Sequence, residues 1–190
     1  GDTTPTVGIT GGSDGDTVTM TATKGASTVT CTYVLPATGC DLGTLADGVW
    51  NVTATVTDPA GNTSGTSAPL AITIDTTAPS APGAPDLAPA SDTGSSSTDD
   101  LTGDNTPHID LTGGTAGDTI TIIATPTGGG TPVSCTYVVG QATGCDLPAL
   151  ADGDWAISAT ETDPAGNVSP EGTLEFTIDT VAPAAPGAAL

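Results

Sequence analysis

The run Gly1-Asp2-Thr3-Thr4-Pro5 returns as Gly103-Asp104-Asn105-Thr106-Pro107, and this internal repetition limits the possible folds more than any other feature. Thr10-Gly11-Gly12 followed by Gly15-Asp16-Thr17 returns as Thr112-Gly113-Gly114 followed by Gly117-Asp118-Thr119. Leu45-Ala46-Asp47-Gly48 matches Leu150-Ala151-Asp152-Gly153, and Asp58-Pro59-Ala60-Gly61-Asn62 matches Asp163-Pro164-Ala165-Gly166-Asn167. The spacing drifts by a few residues between Gly1/Gly103, Trp50/Trp155 and Asp75/Asp179, as it does when homologous domains gain or lose loop residues. A chain of 190 residues in two such copies is a tandem array of two small domains.

Each copy is predicted to be β. Val18, Met20 and Ala22 alternate with Thr, and so do Val29, Cys31 and Tyr33; Trp50, Val52, Ala54 and Val56; and Leu70, Ile72 and Ile74. The second copy repeats this with Ile120, Ile122 and Ala124; Val133, Cys135 and Tyr137; Trp155, Ile157 and Ala159; and Leu174, Phe176 and Ile178. Period-two alternation between Gly, Pro, Asn and Asp turns is the pattern of half-buried strands in an all-β sandwich, and the alternating residues are expected to face inward. Glu161 stands where Val56 stood and is expected at a strand end, in reach of solvent. Good helix formers are scarce, so almost no helix is expected. Trp50 and Trp155 hold the same place at the head of an inward-alternating strand, which reads as core rather than as a sugar-stacking platform.

The acidic excess excludes several function classes. There are 22 Asp and Glu against one base, Lys24, for a formal net charge of −21. One lysine among 22 acidic residues is no basic patch to displace counterions from nucleic-acid phosphates or to sit on an anionic membrane surface. No apolar run approaches the roughly 20 residues of a spanning helix, so no membrane insertion is expected. Catalysis has little to stand on. His108 is the only histidine, has Thr6 at its equivalent position, and reads as a surface residue. No Ser-His-Asp or Cys-His set is repeated, and no base is placed for an oxyanion. Asp152 and Asp154 have only a turn as context, which argues against a glycosidase pair. Asn51, Asn62 and Asn167 lie in glycosylation sequons that matter only in a eukaryotic secretory pathway.

Between the copies lies Thr76-Thr77-Ala78-Pro79-Ser80-Ala81-Pro82-Gly83-Ala84-Pro85, a stiff Pro-rich linker. The residues after it are expected to supply the first strand of the second domain, for which the first copy has no counterpart. The expected division is therefore residues 1–80 as a first repeat lacking its first strand, 81–182 as a second repeat, and 183–190 as the start of a linker to a further repeat.

Cysteines come one pair per copy, Cys31 with Cys40 and Cys135 with Cys145. The short spacing around Val34-Leu35-Pro36-Ala37-Thr38 predicts a hairpin disulfide between neighbouring strands, worth about 2–3 kcal/mol at most. Two buried thiols per domain are the alternative. A zinc site fails, because no histidine accompanies the pairs. Oxidation fits an extracellular location.

Asp-Pro-Ala-Gly-Asn, Ile-Asp-Thr-x-Ala-Pro-x-Ala-Pro and Ser91-Asp92-Thr93-Gly94-Ser95-Ser96-Ser97-Thr98-Asp99-Asp100-Leu101-Thr102 together resemble the bacterial Ig-like repeats of very large secreted adhesins, including biofilm-associated proteins and related type I-secreted surface proteins. The resemblance covers essentially the whole chain, although the paired cysteines depart from the usual pattern. It implies two tandem Ig-like β-sandwich domains in a rod-like stalk on a bacterial cell surface, outside the cell, with Ca²⁺ bound at and near domain junctions. The expected partners are adjacent repeats of the same chain.

Calcium takes six to eight oxygens, which clustered Asp side chains and turn carbonyls supply. Asp75 is expected to approach Asp163, Asn167 and Asp118 across the junction. Copies of that site would use Asp58, Asn62 and Asp16 towards an upstream domain and Asp179 towards a downstream one. Asp92, Asp99, Asp100 and Asp104 form a second candidate cluster. The competing reading is that these side chains only cap and shape turns. The uncompensated negative charge and the resemblance both favour calcium. The expected function is a non-enzymatic, Ca²⁺-rigidified stalk segment supporting adhesion and biofilm formation. Its rivals are repeats that bind a host glycan or identical stalks on other cells, and an accessory module of a polysaccharide-degrading enzyme.

Overall fold

A computed structural model describes residues 1–187. The last residues of the expected onward linker, 188–190, lie outside the described residues. Among the described residues there is no helix, and the chain divides into two compact units at Thr77/Ala78.

The first unit contains β1 (Thr6–Val7), β2 (Thr17–Lys24), β3 (Ser27–Val34), β4 (Cys40–Asp41), β5 (Gly48–Thr57) and β6 (Leu70–Ile74). β3-β2-β5-β6 form an antiparallel sheet, and β1-β4 form a second, two-stranded one. Val18, Met20 and Ala22 of β2 and Trp50, Val52 and Ala54 of β5 are buried between the sheets together with Val7, Leu42, Leu45 and Ile74. The alternation of Thr with small apolar residues thus becomes one wet face and one dry face, as period two requires.

The second unit contains β7 (Pro85–Leu87), β8 (Leu101–Thr102), β9 (His108–Leu111), β10 (Thr119–Pro126), β11 (Val133–Val138), β12 (Gly144–Asp146), β13 (Gly153–Thr162) and β14 (Gly172–Ile178). Its larger sheet has the order β11-β10-β13-β14-β8, with β8 parallel to β14, and its smaller sheet the order β12-β9-β7. Leu87, Ile109, Ile120, Ile122, Trp155, Ile157, Phe176 and Ile178 fill the space between them. Both units are β-sandwiches, as the alternation requires, and the segment after the linker supplies β7, the strand without a counterpart in the first copy.

Three sequence expectations change. The cysteines pair as expected, Cys31 with Cys40 (Cα–Cα 5.9 Å) and Cys135 with Cys145 (6.1 Å), but neither bridge closes a hairpin. Cys31 lies on β3 of the larger sheet and Cys40 on β4 of the smaller one, and Cys135 and Cys145 divide likewise between β11 and β12. The turn after β3 carries the chain across to the opposite sheet. Each disulfide therefore staples the two sheets together along one edge of the sandwich.

Leu70, expected inward, is 60% exposed, at the rim of a groove that it lines with Val7, Ile9, Met20, Val52 and Ile72. Glu161, expected at solvent, is 1% exposed. β13 runs on to Thr162, so Glu161 keeps the inward phase of Trp155, Ile157 and Ala159. Its Oε1 accepts the Thr115 N–H at 2.6 Å, while Oε2 is buried with no hydrogen-bond partner.

In the first unit Val56 occupies this place, and the N–H of Ser13, equivalent to Thr115, donates to Asp16 Oδ2 at 2.9 Å. Asp118 is the counterpart of Asp16. Glu161→Val is therefore expected to raise the stability of the second unit by about 1–3 kcal/mol, with Asp118 taking over the Thr115 N–H. Urea denaturation checks this, and a loss of stability would contradict it.

Candidate metal centre in the second unit

The segment from β7 to β9 carries Asp86, Asp92, Asp99, Asp100 and Asp104. After Leu87 the chain makes a tight turn in which the N–H groups of Ser91 and Asp92 both donate to Ala88 O, at 2.7 and 3.0 Å. Ser91 is locked from three directions. Its hydroxyl donates to Asp104 Oδ2 and accepts the His108 N–H, both at 2.9 Å, and its carbonyl accepts the Thr102 hydroxyl. Thr93 Oγ1 lies 3.1 Å from Thr102 Oγ1 and accepts the Gly103 N–H at 2.9 Å. These Ser and Thr hydroxyls tie the two strands of the loop together, which explains why the Ser91-Asp92-Thr93 and Leu101-Thr102-Gly103-Asp104 phrases occur together in one copy.

Asp92 sits inside this scaffold, 5% exposed, and its Oδ1 has no hydrogen-bond partner. Asp100, held in the left-handed region at φ 57°, presents its carbonyl to the Thr177 N–H at 2.8 Å. Burial pushes the Asp100 carboxyl above the ordinary carboxylate range, and the negative charges of Asp86, Asp92 and Asp99 push it further. Asp92, Asp99 and Asp100 thus share the loop between β7 and β8, and the sequence carries no Lys or Arg beyond Lys24 to neutralise them. A buried acceptor without a donor among like charges is unfavourable in isolation and complementary to a hard cation.

Asp104 plays a different part from the one expected. Burial raises its carboxyl pKa, but hydrogen bonds from Thr106 and Ser91 outweigh this and hold it below the ordinary range. It braces the loop. Asp86, which stands in β7 outside the acidic run Asp92–Asp100, adds its negative charge to those that act on Asp100.

The other expected ligands sit in turns. Asp58 Oδ1 accepts the N–H groups of Ala60 and Asn62 at 2.9 and 2.8 Å, and Oδ2 accepts the Asn62 side-chain amide at 2.8 Å. Asn167 closes the same turn on Asp163, with both contacts at 2.8 Å. The bonds from the Asn62 and Asn167 side chains hold the two Asp carboxyls below their ordinary range. Asp75 Oδ1 accepts the Thr77 N–H and Asp179 Oδ1 the Val181 N–H, each at 3.0 Å. Asp16 caps its own loop through Ser13, and Asp118 is buried at the equivalent place. Asp75, Asp58, Asn62 and Asp16 belong to the first unit and Asp163, Asn167, Asp118, Asp99, Asp100 and Asp179 to the second.

Among the described residues no three His, Cys, Asp or Glu side chains already converge as a ligand set, so ion binding at the acidic loop requires Asp99 and Asp100 to draw in towards Asp92. His108, expected at the surface, is half-buried on β9, its Nδ1 2.6 Å from Asp146 Oδ1 and its Nε2 3.5 Å from Asp110 Oδ1.

The family model for the bacterial Ig-like domain matches the chain twice, over residues 1–76 and 78–180. No curated protein sequence matches it. Among solved structures, the FN1–FN3 domains of chicken CNTN1 align with 87% of this chain at 11% identity and a TM-score of 0.59, and the chain spans 54% of that structure's length. A tetra-tandem repeat from the extending region of a large adhesion protein aligns with 89% of the chain at 23% identity and a TM-score of 0.37, over 43% of its own length. Two fibronectin type III domains of chicken tenascin align with 87% of the chain at 16% identity and a TM-score of 0.44, over 86% of theirs. The first of these alignments carries the fold alone, a two-sheet sandwich of Ig and fibronectin type III kind. With two family matches that meet within one residue of the division between the compact units, the chain belongs to the bacterial Ig-like domain family as two consecutive copies of that domain.

Proposed function

We propose that this chain is a non-enzymatic structural segment of a bacterial cell-surface adhesin, in which tandem Ig-like repeats stiffened by Ca²⁺ hold an adhesive region away from the cell and so support adhesion and biofilm formation. The observation that carries the calcium part is Asp92, whose buried Oδ1 lacks a donor in the same loop as Asp99 and Asp100. Carboxylate oxygens alone are the ligand chemistry of Ca²⁺ and not of zinc or copper. Bound there, the ion would pin the Asp99–Asp100 end of the loop to the turn that begins β7's return, making the start of the repeat rigid. Two disulfides suit an oxidising, extracellular setting. Secretion by a type I route and contact with adjacent repeats belong to the same reading.

Thermal melting of chelator-stripped protein tests it. Extracellular calcium modules bind with Kd of about 10⁻⁴–10⁻³ M. At about 100 times Kd, calcium is expected to stabilise the second unit by about 2.7 kcal/mol. Asp92→Asn removes one of four mutually repelling charges, so it is expected to melt no lower than the parent in chelator and to gain nothing from calcium. Identical melting curves with and without about 10 mM calcium, tenfold above the weakest such Kd, would overturn the reading.

A further inference from the structure

The outer face of the second unit's smaller sheet gathers a histidine and three aspartates outside the acidic loop. On β9, Ile109 and Leu111 are buried in the core, so His108 and Asp110 face the other way. Asp146 of β12 stands opposite His108, and Asp86 of β7 stands opposite Asp110. Gly144 is the β12 residue opposite Asp110, so β12 places no side chain beside that carboxylate. Three strands thus bring His108, Asp110, Asp86 and Asp146 to one patch of the surface.

The imidazole is held in one orientation. His108 Nδ1 lies 2.6 Å from Asp146 Oδ1, and an ionised carboxylate only accepts, so the proton of this bond sits on Nδ1. In the neutral ring the lone pair is then on Nε2, which lies 3.5 Å from Asp110 Oδ1. That separation is long for a hydrogen bond, whose ordinary range is about 2.7–3.2 Å. It matches two ligands on a tetrahedral zinc ion, which with bonds of about 2.0–2.2 Å stand about 3.3–3.5 Å apart. A histidine that gives one ring N–H to a carboxylate and turns its other nitrogen to the ion is the recurring arrangement at such sites.

We propose that His108 Nε2, Asp110 and Asp86 form a binding site for a divalent transition-metal ion, with zinc as the ion that fits the donor set, and that Asp146 orients the imidazole. Two ligands already stand at ligand spacing. Asp86 completes the set by rotation of its side chain from the facing position on β7, so the three do not converge before the ion arrives. Water takes the fourth position. The nitrogen ligand separates this site from the acidic loop, since calcium takes oxygens whereas imidazole suits zinc, copper and nickel. The His108 and Asp110 side chains are 36% and 40% exposed, so an ion reaches them from solvent, and the net charge of −21 concentrates cations around the chain. Once bound, the ion would clip β7 to β9 across their ladder.

The first unit supplies the comparison. Thr6 and Gly8 stand where His108 and Asp110 stand, and Asp41, the counterpart of Asp146, accepts the Thr6 hydroxyl at 2.5 Å. The orienting carboxylate is kept there with no nitrogen to orient, so no zinc is expected on that sheet.

His108 is the only histidine, so its ring nitrogens report on this site alone. Nitrogen-15 NMR of the whole chain, titrated with zinc chloride with and without excess calcium, is expected to show the Nε2 signal move and saturate at one equivalent while Nδ1 keeps its proton. Asp110→Asn and Asp86→Asn are each expected to weaken zinc binding at least tenfold, and Asp146→Asn by about 10–100-fold.

An Nε2 signal that zinc leaves in place would overturn the proposal. So would a shift that calcium abolishes, which would give the carboxylates to calcium. Zinc affinity unchanged in Asp110→Asn or Asp86→Asn would also overturn it, by removing that carboxylate from the ligand set.

Discussion

Trp155→Ala is expected to destabilise the second unit by about 3–5 kcal/mol, against a total of about 5–15 kcal/mol for a domain of this size. The chain has only two Trp, two Tyr and one Phe, so one indole supplies much of the large apolar surface in each core. Trp155 is buried at the head of β13 with Phe176 opposite on β14 and Pro126 opposite on β10. Its ring N–H donates to Ala151 O at 3.0 Å, as that of Trp50 does to Ala46 O at 2.8 Å. That bond ties the strand to the Leu150-Ala151-Asp152-Gly153 turn, so alanine removes both packing and a turn anchor. Trp50 stays as the single tryptophan of the first unit. Denaturation of the variant is expected to show an unchanged fluorescence transition from Trp50 and a second-unit transition, followed by circular dichroism, shifted to much lower denaturant. A shift worth less than about 1 kcal/mol would mean that the indole lies at the surface.

Cys31→Ala with Cys40→Ala is expected to cost the first unit about 2–3 kcal/mol, the entropy of closing a loop of this length. Its effect is also expected to be local. The smaller sheet of that unit consists of two two-residue strands, Thr6–Val7 and Cys40–Asp41, and the disulfide is the one cross-link between it and β3 besides the main chain. Without it the β1–β4 ladder is expected to lose amide protection first, while β2, β3 and β5 keep theirs. The matching pair of changes at Cys135 and Cys145 should cost a similar amount but leave β9 protected, because β7 still holds its other edge. Uniform loss of protection across the first unit would contradict the assignment of the bridge as an inter-sheet staple.

The β architecture was legible because alternation is a direct image of the pleat. Val18, Met20, Ala22, Ile120, Ile122 and Ala124 all face the core as period two requires. Glu161 shows where polarity misleads: it falls on the inward phase, and the strand continues past it, so backbone geometry buries a carboxylate that composition alone would send to water. The cysteine spacing was legible as a pairing but not as a geometry. A separation of nine residues fits a hairpin or a crossing between sheets equally well, and the turn after β3 decides for the crossing. Leu70 misled for a different reason, since its inward phase is correct and it lines an open groove instead of a filled core.

The acidic loop was half legible. Asp99 and Asp100 stand adjacent in a Ser-rich run and announce themselves, whereas Asp86 acts on Asp100 through its charge from β7, a relation that only the fold creates. Asp104 carried the same sequence signal as Asp92 and sits differently: Ser91 and Thr106 donate to its carboxylate, whereas Asp92 Oδ1 has no hydrogen-bond partner. The Asp-Pro-Ala-Gly-Asn turns are the clearest example of two readings sharing one motif. Their carboxylates are occupied by backbone and Asn amides, which is the turn-shaping role.

The most direct measurement is a calorimetric Ca²⁺ titration of the chelator-stripped chain beside Asp92→Asn. The account predicts saturable binding in the parent, with a Kd of about 10⁻⁴–10⁻³ M, and loss of that site in the variant. No binding up to about 10 mM, or binding that Asp92→Asn leaves intact, would contradict a calcium site in the acidic loop. The stiffness of the segment would then rest on its disulfides and prolines alone.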